Sequence, residues 1–335
     1  MNINVFSLLS RGALPVMAGL LLCSSCDTDS FVEDTWDREP MLEYWADEII
    51  IPSWVSYSSQ TDNMVLAVDA FSDDPTAINY DVFKASVLSA YSGWQWVSFL
   101  EIGPGEAESA RYRTNTFPAD TAKISNAATN YNGLNGPNFM LPSTYSEQGF
   151  PAIDFLVNSF SSSQTAAIYF ANNDGPLLYL VALVGELNEI SKTVLLEWNS
   201  YRTVFISNDG SSASSSLNKI ANDYIFHYEK ELRAGKIGIP AGVFSSNTYP
   251  RKVEAFYSDT WSSILFTEGL RAHSRFFNGV SFDSLLVGPS FAQYLDHLNV
   301  RRGDTTLSFV ISDQFNISRQ TSETITETYS TTIGQ

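Results

Sequence analysis

Cysteine is nearly absent from this 335-residue chain: Cys23 and Cys26 are the only two. Beyond residue 26 no disulfide can form and no thiol can serve as a nucleophile. The body must therefore be held by core burial, for which about three hundred residues are ample. Histidine is also scarce, with only His227, His273 and His297 present. No His-Glu-x-x-His pair occurs, nor a Gly-x-Ser-x-Gly elbow, a Gly-x-x-x-x-Gly-Lys phosphate loop or a dinucleotide fingerprint. Nucleophilic serine chemistry and nucleotide binding thus find no support. Positive charge is short as well: 19 Lys and Arg stand against 37 Asp and Glu, a net charge of −18. Such a field repels nucleic-acid phosphates, which excludes nucleic acid as a partner, and it concentrates cations near the surface. Solubility alone also accounts for it. Past residue 26 no apolar run is long enough to span a bilayer.

What is present begins with a secretion signal. Residues 12–23 form an apolar run broken only by Pro15, too short for a membrane span, with Arg11 as its basic flank. Cys23-Ser24-Ser25-Cys26 resembles a lipoprotein cleavage box in which Cys26 takes the lipid. The competing reading, a Cys-x-x-Cys redox or zinc pair, has no second pair to complete a metal site. Residues 1–25 are therefore expected to be a signal peptide and 26–38 an acidic tether, with Asp27, Asp29, Glu33 and Asp34. The tether reads either as a plain solvated spacer or as a surface-export tag. The expected location is the envelope of a Gram-negative-type bacterium, lipid-anchored to the outer membrane and facing the periplasm or the exterior.

The remainder reads as all-α, with two packed helical bundles over residues 39–210 and 211–335. Leu42, Trp45, Ile49 and Ile50 recur at helical spacing. A helix over 79–100 carries Val82, Phe83, Val87, Tyr91, Trp94 and Phe99 near one stripe and stops at Gly103-Pro104. Residues 105–148 are irregular, with a short helix around 119–129. A long helix is expected over 176–205, where Leu177, Leu180, Val181, Val184, Leu187, Ile190, Val194, Leu195 and Trp198 keep the period. The Ser-rich stretch 208–216 marks the boundary between the bundles. Further helices are expected over 217–234, 250–277, 289–300 and 305–326, with Gly235, Gly279 and Gly303 following three of them. No segment shows strand alternation bounded by hairpin turns.

The most informative motif is Gly149-Phe150-Pro151-Ala152-Ile153-Asp154. It resembles the Gly-x-His-x-x-Glu signature of the imelysin family (peptidase family M75, found also in bacterial iron-uptake proteins). Pro151 stands in the His position and Asp154 in the Glu position. Four further segments carry the resemblance in order along the chain: residues 42–52, which resemble the family's opening helix, residues 94–104 (Trp-Gln-x-x-Glu type), residues 115–120 (Asn-x-Trp-Pro type) and residues 235–242 (Lys-Ile-Gly-Ile-Pro type). A His and a carboxylate three apart on a helix can share a metal ion. Proline has no donor atom for one, while it fits the first turn of a helix at no structural cost.

The resemblance implies a ligand-binding cleft formed by Gly149, Pro151 and Asp154, bordered by Glu101 and walled by Trp94. Trp94 reads equally as core, and Asp154 as a helix-end hydrogen-bond partner. A metal, if any, would be held by the carboxylates of Asp154 and Glu101, or by the stripe Asp223, His227 and Glu231 at i, i+4 and i+8. That stripe reads equally as a solvated charged face. The cofactor is otherwise undefined, with iron or another divalent metal the candidates. The resemblance implies a non-catalytic binding or accessory protein of iron acquisition, with envelope iron-uptake components and the membrane as partners. The alternatives are a zinc metallopeptidase of the M75 type and an interaction lipoprotein without a small ligand.

Overall fold

The first apolar stripe, Leu42, Trp45, Ile49 and Ile50, is buried throughout. It lies on α1 (Glu39–Tyr44) and on a π-helical turn, Trp45–Ile50, which leads without a break into α2 (Ile51–Asp73). The wide turn has a cause in Pro52. Proline supplies no N–H and its ring crowds the carbonyl four residues back, here that of Glu48. The freed Glu48 carbonyl instead accepts from the Phe282 N–H at 2.8 Å. The computed structural model describes residues 34–258, 260–325 and 327–334. Thr35–Gln335 form one compact unit, and Cys26 and the expected signal peptide lie outside the described residues. Trp36 and Arg38, expected in the tether, are docked: Trp36 packs on the rings of Tyr294 and His297, and Arg38 donates to the Gly210 carbonyl and the Tyr294 hydroxyl.

α3 (Ala77–Trp94) begins at Thr76, whose hydroxyl caps the Asn79 N–H. It ends six residues earlier than expected, because residues 95–97 turn with i→i−3 bonds to the Ser92, Gly93 and Trp94 carbonyls. Val82, expected on its buried stripe, is exposed, whereas Phe83, Val87, Tyr91 and Trp94 are buried. Short helices follow: α4 (Pro104–Glu108), α5 (Ala110–Asn115) and α6 (Thr121–Asn130), the last capped by Asp120. A 3₁₀ turn (Pro142–Glu147) leads to α7 (Gly149–Asn158), with Pro151 in its first turn as expected. After α8 (Ser163–Ala171), α9 (Asp174–Ser207) is the longest helix, and Leu180, Val184, Leu187, Ile190, Val194 and Trp198 are all buried. α2, α3 and α9 pack side by side into an aromatic bundle in which each fully buried large side chain contributes about 1.5–3 kcal/mol.

The Ser-rich stretch closes on itself: Ser216 N–H donates to the Asn208 carbonyl, and Asn208 Nδ2 to that of Ser214. Then α10 (Ser216–Phe226) widens into a second π-helix, His227–Gly238, that runs straight through Gly235 rather than stopping there. The expected helix over 250–277 is shorter. Residues 250–258 form two 3₁₀ turns, and α11 (Trp261–Phe277) begins only after them. α12 (Phe291–His297) is capped by Ser290. A two-residue antiparallel pair, β1 (Arg301–Arg302) with β2 (Thr305–Thr306), turns at Gly303. α13 (Leu307–Glu323) and α14 (Tyr329–Gly334) complete the chain. The fold is thus all-α apart from this small ribbon, and α11 packs against α3 across the expected bundle boundary. Among the described residues no helix is long and apolar enough to cross a membrane.

Candidate functional site

Where α11 and the His227–Gly238 helix meet α3, the core turns polar. Glu254 sits in the non-helical stretch before α11 and is fully buried. Its carboxylate makes a short contact with the Lys236 ammonium and accepts from Asn115 Nδ2 at 2.7 Å and from Gln95 Nε2 at 3.4 Å. Lys236 Nζ also donates to Gln95 Oε1 at 2.9 Å, and the Tyr91 hydroxyl donates to Asn115 Oδ1 at 2.6 Å. Burial holds the Lys236 amine below its ordinary range while Glu254 pulls the other way. The Glu254 backbone is pinned by Ser262 Oγ, which donates to its carbonyl. Ala255 then takes a left-handed conformation at φ +52°, unusual for a residue with a Cβ. That bend redirects the chain and helps present the Tyr257 N–H to Asp154.

Asp154, on α7, is buried. Its Oδ2 accepts from Tyr257 N at 3.0 Å and its Oδ1 from Asn158 Nδ2 at 2.9 Å. Desolvation pushes its carboxyl up to about 7, partly countered by these two bonds. Gly149 opens α7 with φ +71°, and a Cβ there would lie 2.2 Å from the Thr114 carbonyl oxygen, so only glycine lets α7 approach the end of α5 so closely. Beside Pro151 and Asp154 lies a cavity of about 290 Å³, whose other walls include Phe117, Phe256 and Tyr257, with the exposed residues Arg251 and Lys252 at its edge.

A second cluster lies around Arg111, on α5. Its guanidinium contacts both Asp223 oxygens at 2.7 and 2.8 Å, and its Nε donates to the Ser98 carbonyl. The Arg111 N–H donates to Glu101 Oε2 at 2.9 Å, and the Glu101 N–H to Asp223 Oδ2 at 2.8 Å. Desolvation pushes Glu101 up to about 7, with Arg111 opposing, and raises Glu231 and Asp223 as well. Beneath it two imidazoles stack, their centroids 5.0 Å apart. His273 Nδ1 donates to the Gly269 carbonyl at 2.8 Å, so its Nε2 accepts from His227 Nδ1 at 3.2 Å. Burial pushes His273 down to about 4 and holds His227 well below its usual value. Both are neutral at physiological pH.

The structure thus brings some expected residues together and separates others. Asp154 and Pro151 share a cavity, and Glu101 and Asp223 share Arg111. Glu101 and Asp154 have different hydrogen-bond partners. The carboxylate that bears electrostatically on Asp154 is Glu254. Trp94 is core, packed on the Tyr57 ring at 5.7 Å. The stripe Asp223, His227, Glu231 splits where the π-helix begins, since the wider turn changes which side chains share a face. Asp223 turns to Arg111 and His227 to His273. Sequence reasoning missed Glu254, Lys236, Gln95, Asn115 and Arg111 as site residues. A signal existed for three of them: three of the segments carrying the family resemblance each deliver one polar side chain to Glu254, namely the buried Gln95 and Lys236 and the half-buried Asn115. Glu254 itself lies in none of those segments.

A resident metal does not fit the donor set. A catalytic zinc takes about three protein ligands and an open position. Among the described residues no three His, Cys, Asp or Glu side chains converge to hold an ion. The carboxylates of Asp154, Glu254 and Asp223 are already engaged by N–H, amide, ammonium or guanidinium donors of the chain itself.

The sequence matches the imelysin family, peptidase family M75, over residues 50–335. Iron-regulated protein A of Synechococcus elongatus is 22% identical over 227 residues, which cover 65% of this chain and 58% of that protein, less than two thirds of its length. Two solved structures share the fold at 13% identity. A putative iron-regulated protein A precursor from Parabacteroides distasonis superposes with a TM-score of 0.70, covering 89% of this chain and 88% of that one. An imelysin-like protein from Psychrobacter arcticum gives 0.66, with 88% and 86% covered. The ordered segments that converge on Glu254 and Asp154, together with this match over most of the chain, place the protein in the imelysin family.

Proposed function

We propose that this chain is a lipid-anchored envelope protein that binds a ligand of iron or other metal acquisition and does not cleave peptides. The observation that carries the reading is the state of the motif. Pro151 offers no ligand where the family signature has histidine, and the buried carboxylates of Asp154 and Glu254 are already engaged by N–H and ammonium donors of the chain itself. The link to iron rests on the relatives named iron-regulated protein A. The ligand site is the cavity beside Pro151 and Asp154. Arg251 and Lys252 at its edge favour an anionic chelate over a bare cation, and the Asp154 carboxyl at its wall, raised to about 7, repels an anion little below that pH.

Three measurements test this. In the host, deleting the gene should slow uptake of radioactive iron under iron restriction, and unchanged uptake would remove the iron assignment. The purified protein should not degrade unfolded casein with or without added zinc. Zinc-restored, EDTA-sensitive cleavage lost in Asp154→Asn would replace the binding reading with a metallopeptidase. Labelling with an alkyne fatty acid should mark the wild-type chain and fail on Cys26→Ala, and label persisting on that variant would refute anchoring at Cys26.

A further inference from the structure

On the far side of α10 from Arg111, the helices α10, α11, α12 and α13 surround a cavity of about 530 Å³. The volume falls within the range of small-molecule pockets and is far larger than the voids a close-packed core leaves unfilled. Its wall is mainly apolar, with aromatic rings (among them Tyr224, Phe291 and Phe315) and aliphatic side chains (among them Leu217, Leu295 and Ile311) in equal share. These rings are held from behind. Phe291 packs edge-on against Trp45 at 4.8 Å, Tyr224 lies nearly parallel to Phe276 at 5.8 Å, and Phe315 meets Phe277 at 6.2 Å. The Tyr224 hydroxyl is already spent on the His273 carbonyl at 2.9 Å. The cavity is therefore preformed and mainly apolar; of its polar lining residues, Asn218 Nδ2 is spent on the Ser211 and Ser212 carbonyls and Gln314 Nε2 on the Ser318 hydroxyl.

Its charge pattern selects the occupant. No lysine or arginine lines it, and the single charged lining residue is Glu229, which pairs with Arg233 at 2.6 Å. In a chain of net charge −18, an anionic amphiphile would enter against the field with no cation to receive it. The aromatic rings in its wall favour flat apolar partners, which gain from offset and edge-to-face contacts. We propose that this cavity binds an uncharged, mainly apolar small molecule of aromatic or alicyclic type. The site is separate from the one beside Asp154 and does not depend on the reading given for it.

The test uses the uncharged fluorophore N-phenyl-1-naphthylamine, titrated into the chain starting at residue 27. Saturable binding at one site per chain is expected. Ala221→Trp, which fills the cavity, and Ile311→Arg, which charges its wall, should each weaken binding by about tenfold or more. Leu196→Trp, on the exposed face of α9, should leave it unchanged. Should either cavity variant misfold by circular dichroism, the other variant and the fluorophore-induced rise in melting temperature of the parent decide. The anionic analogue 1-anilinonaphthalene-8-sulfonate should bind at least about tenfold more weakly than the neutral probe. Non-saturable binding, or binding unchanged in the folded cavity variants, overturns the site. Equal or tighter binding of the anion overturns the ligand class. Binding that appears only when the chain is shortened to begin at Thr35 would identify the preceding residues as the occupant and overturn the proposal.

Discussion

The aromatic bundle of α2, α3 and α9 and the polar seam around the buried Glu254 and Lys236 are held by opposite means. In the bundle, Trp54, Tyr57, Phe71, Leu187 and Trp198 gain from leaving water and tolerate small shifts in geometry. In the seam, Lys236, Glu254, Gln95 and Asn115 gain little net energy, and each depends on the others staying in place. The contrast teaches that burial alone does not say what a region is for. The bundle supports the fold. The seam fixes where α7 and the stretch before α11 stand, and so where Asp154 and its cavity lie.

The largest effect is expected from removing one partner of the seam. Glu254→Ala leaves a buried ammonium unpaired and should cost about 3–5 kcal/mol in denaturant unfolding. The double variant Glu254→Leu with Lys236→Met should cost less than that single change, and a larger loss would show that the pair is worth more than its desolvation. In the bundle, Leu187→Ala should cost about 3 kcal/mol through lost burial and the cavity left behind. Its effect should add to that of Glu254→Ala, whereas that of Asn115→Ala should not, because Asn115 donates directly to the Glu254 carboxylate.

Asp154 has its carboxyl raised from 3.8 to about 7 in the fold. Over that interval the folded chain keeps a proton that the unfolded chain releases, so this residue makes stability fall as pH rises from about 4 to about 7. Glu101 adds to the fall over the same window. His273, lowered from 6.5 to about 4, acts in the opposite sense: the unfolded chain takes the proton first, and stability rises with pH across that interval. Asp154→Asn should therefore gain stability relative to the parent as pH climbs from about 4 to about 7, by on the order of 2 kcal/mol. A pH-independent difference would mean that Asp154 is charged throughout. The smallest effect is expected at Ala255. Ala255→Gly relieves the left-handed strain but loses a buried methyl, so melting should report a change under about 1 kcal/mol.

Legibility in the sequence followed the physics of each region. The stripes of α1 and α9 were plain because a helix that buries one face must repeat its apolar residues at a fixed interval. The start of α7 at Gly149 with Pro151 in its first turn was equally readable, since both residues have narrow backbone preferences. The helix expected over 250–277 carries the same periodicity, yet its described residues before Trp261 are not α-helical. There the bonds to Glu254, Ala255 and Tyr257 outweighed local propensity, and no nearby residue announces them. The stripe Asp223, His227, Glu231 failed to converge for a related reason: its register presumed an α-helix, and the chain is π-helical from His227.

By itself the sequence determined the all-α class, the family, the scarcity of metal-binding nitrogen and the exchange of imidazole for a proline ring at position 151. These depend on composition, spacing and side-chain chemistry, which need no partner. Only the tertiary structure decided that Gln95, Asn115 and Lys236 close on Glu254, that Glu101 belongs to Arg111 rather than to Asp154, and that a mainly apolar cavity opens beside α10. Such pairings join residues as much as 159 positions apart. The free energy of a buried charge is set by what the folded chain brings next to it, which no local pattern records.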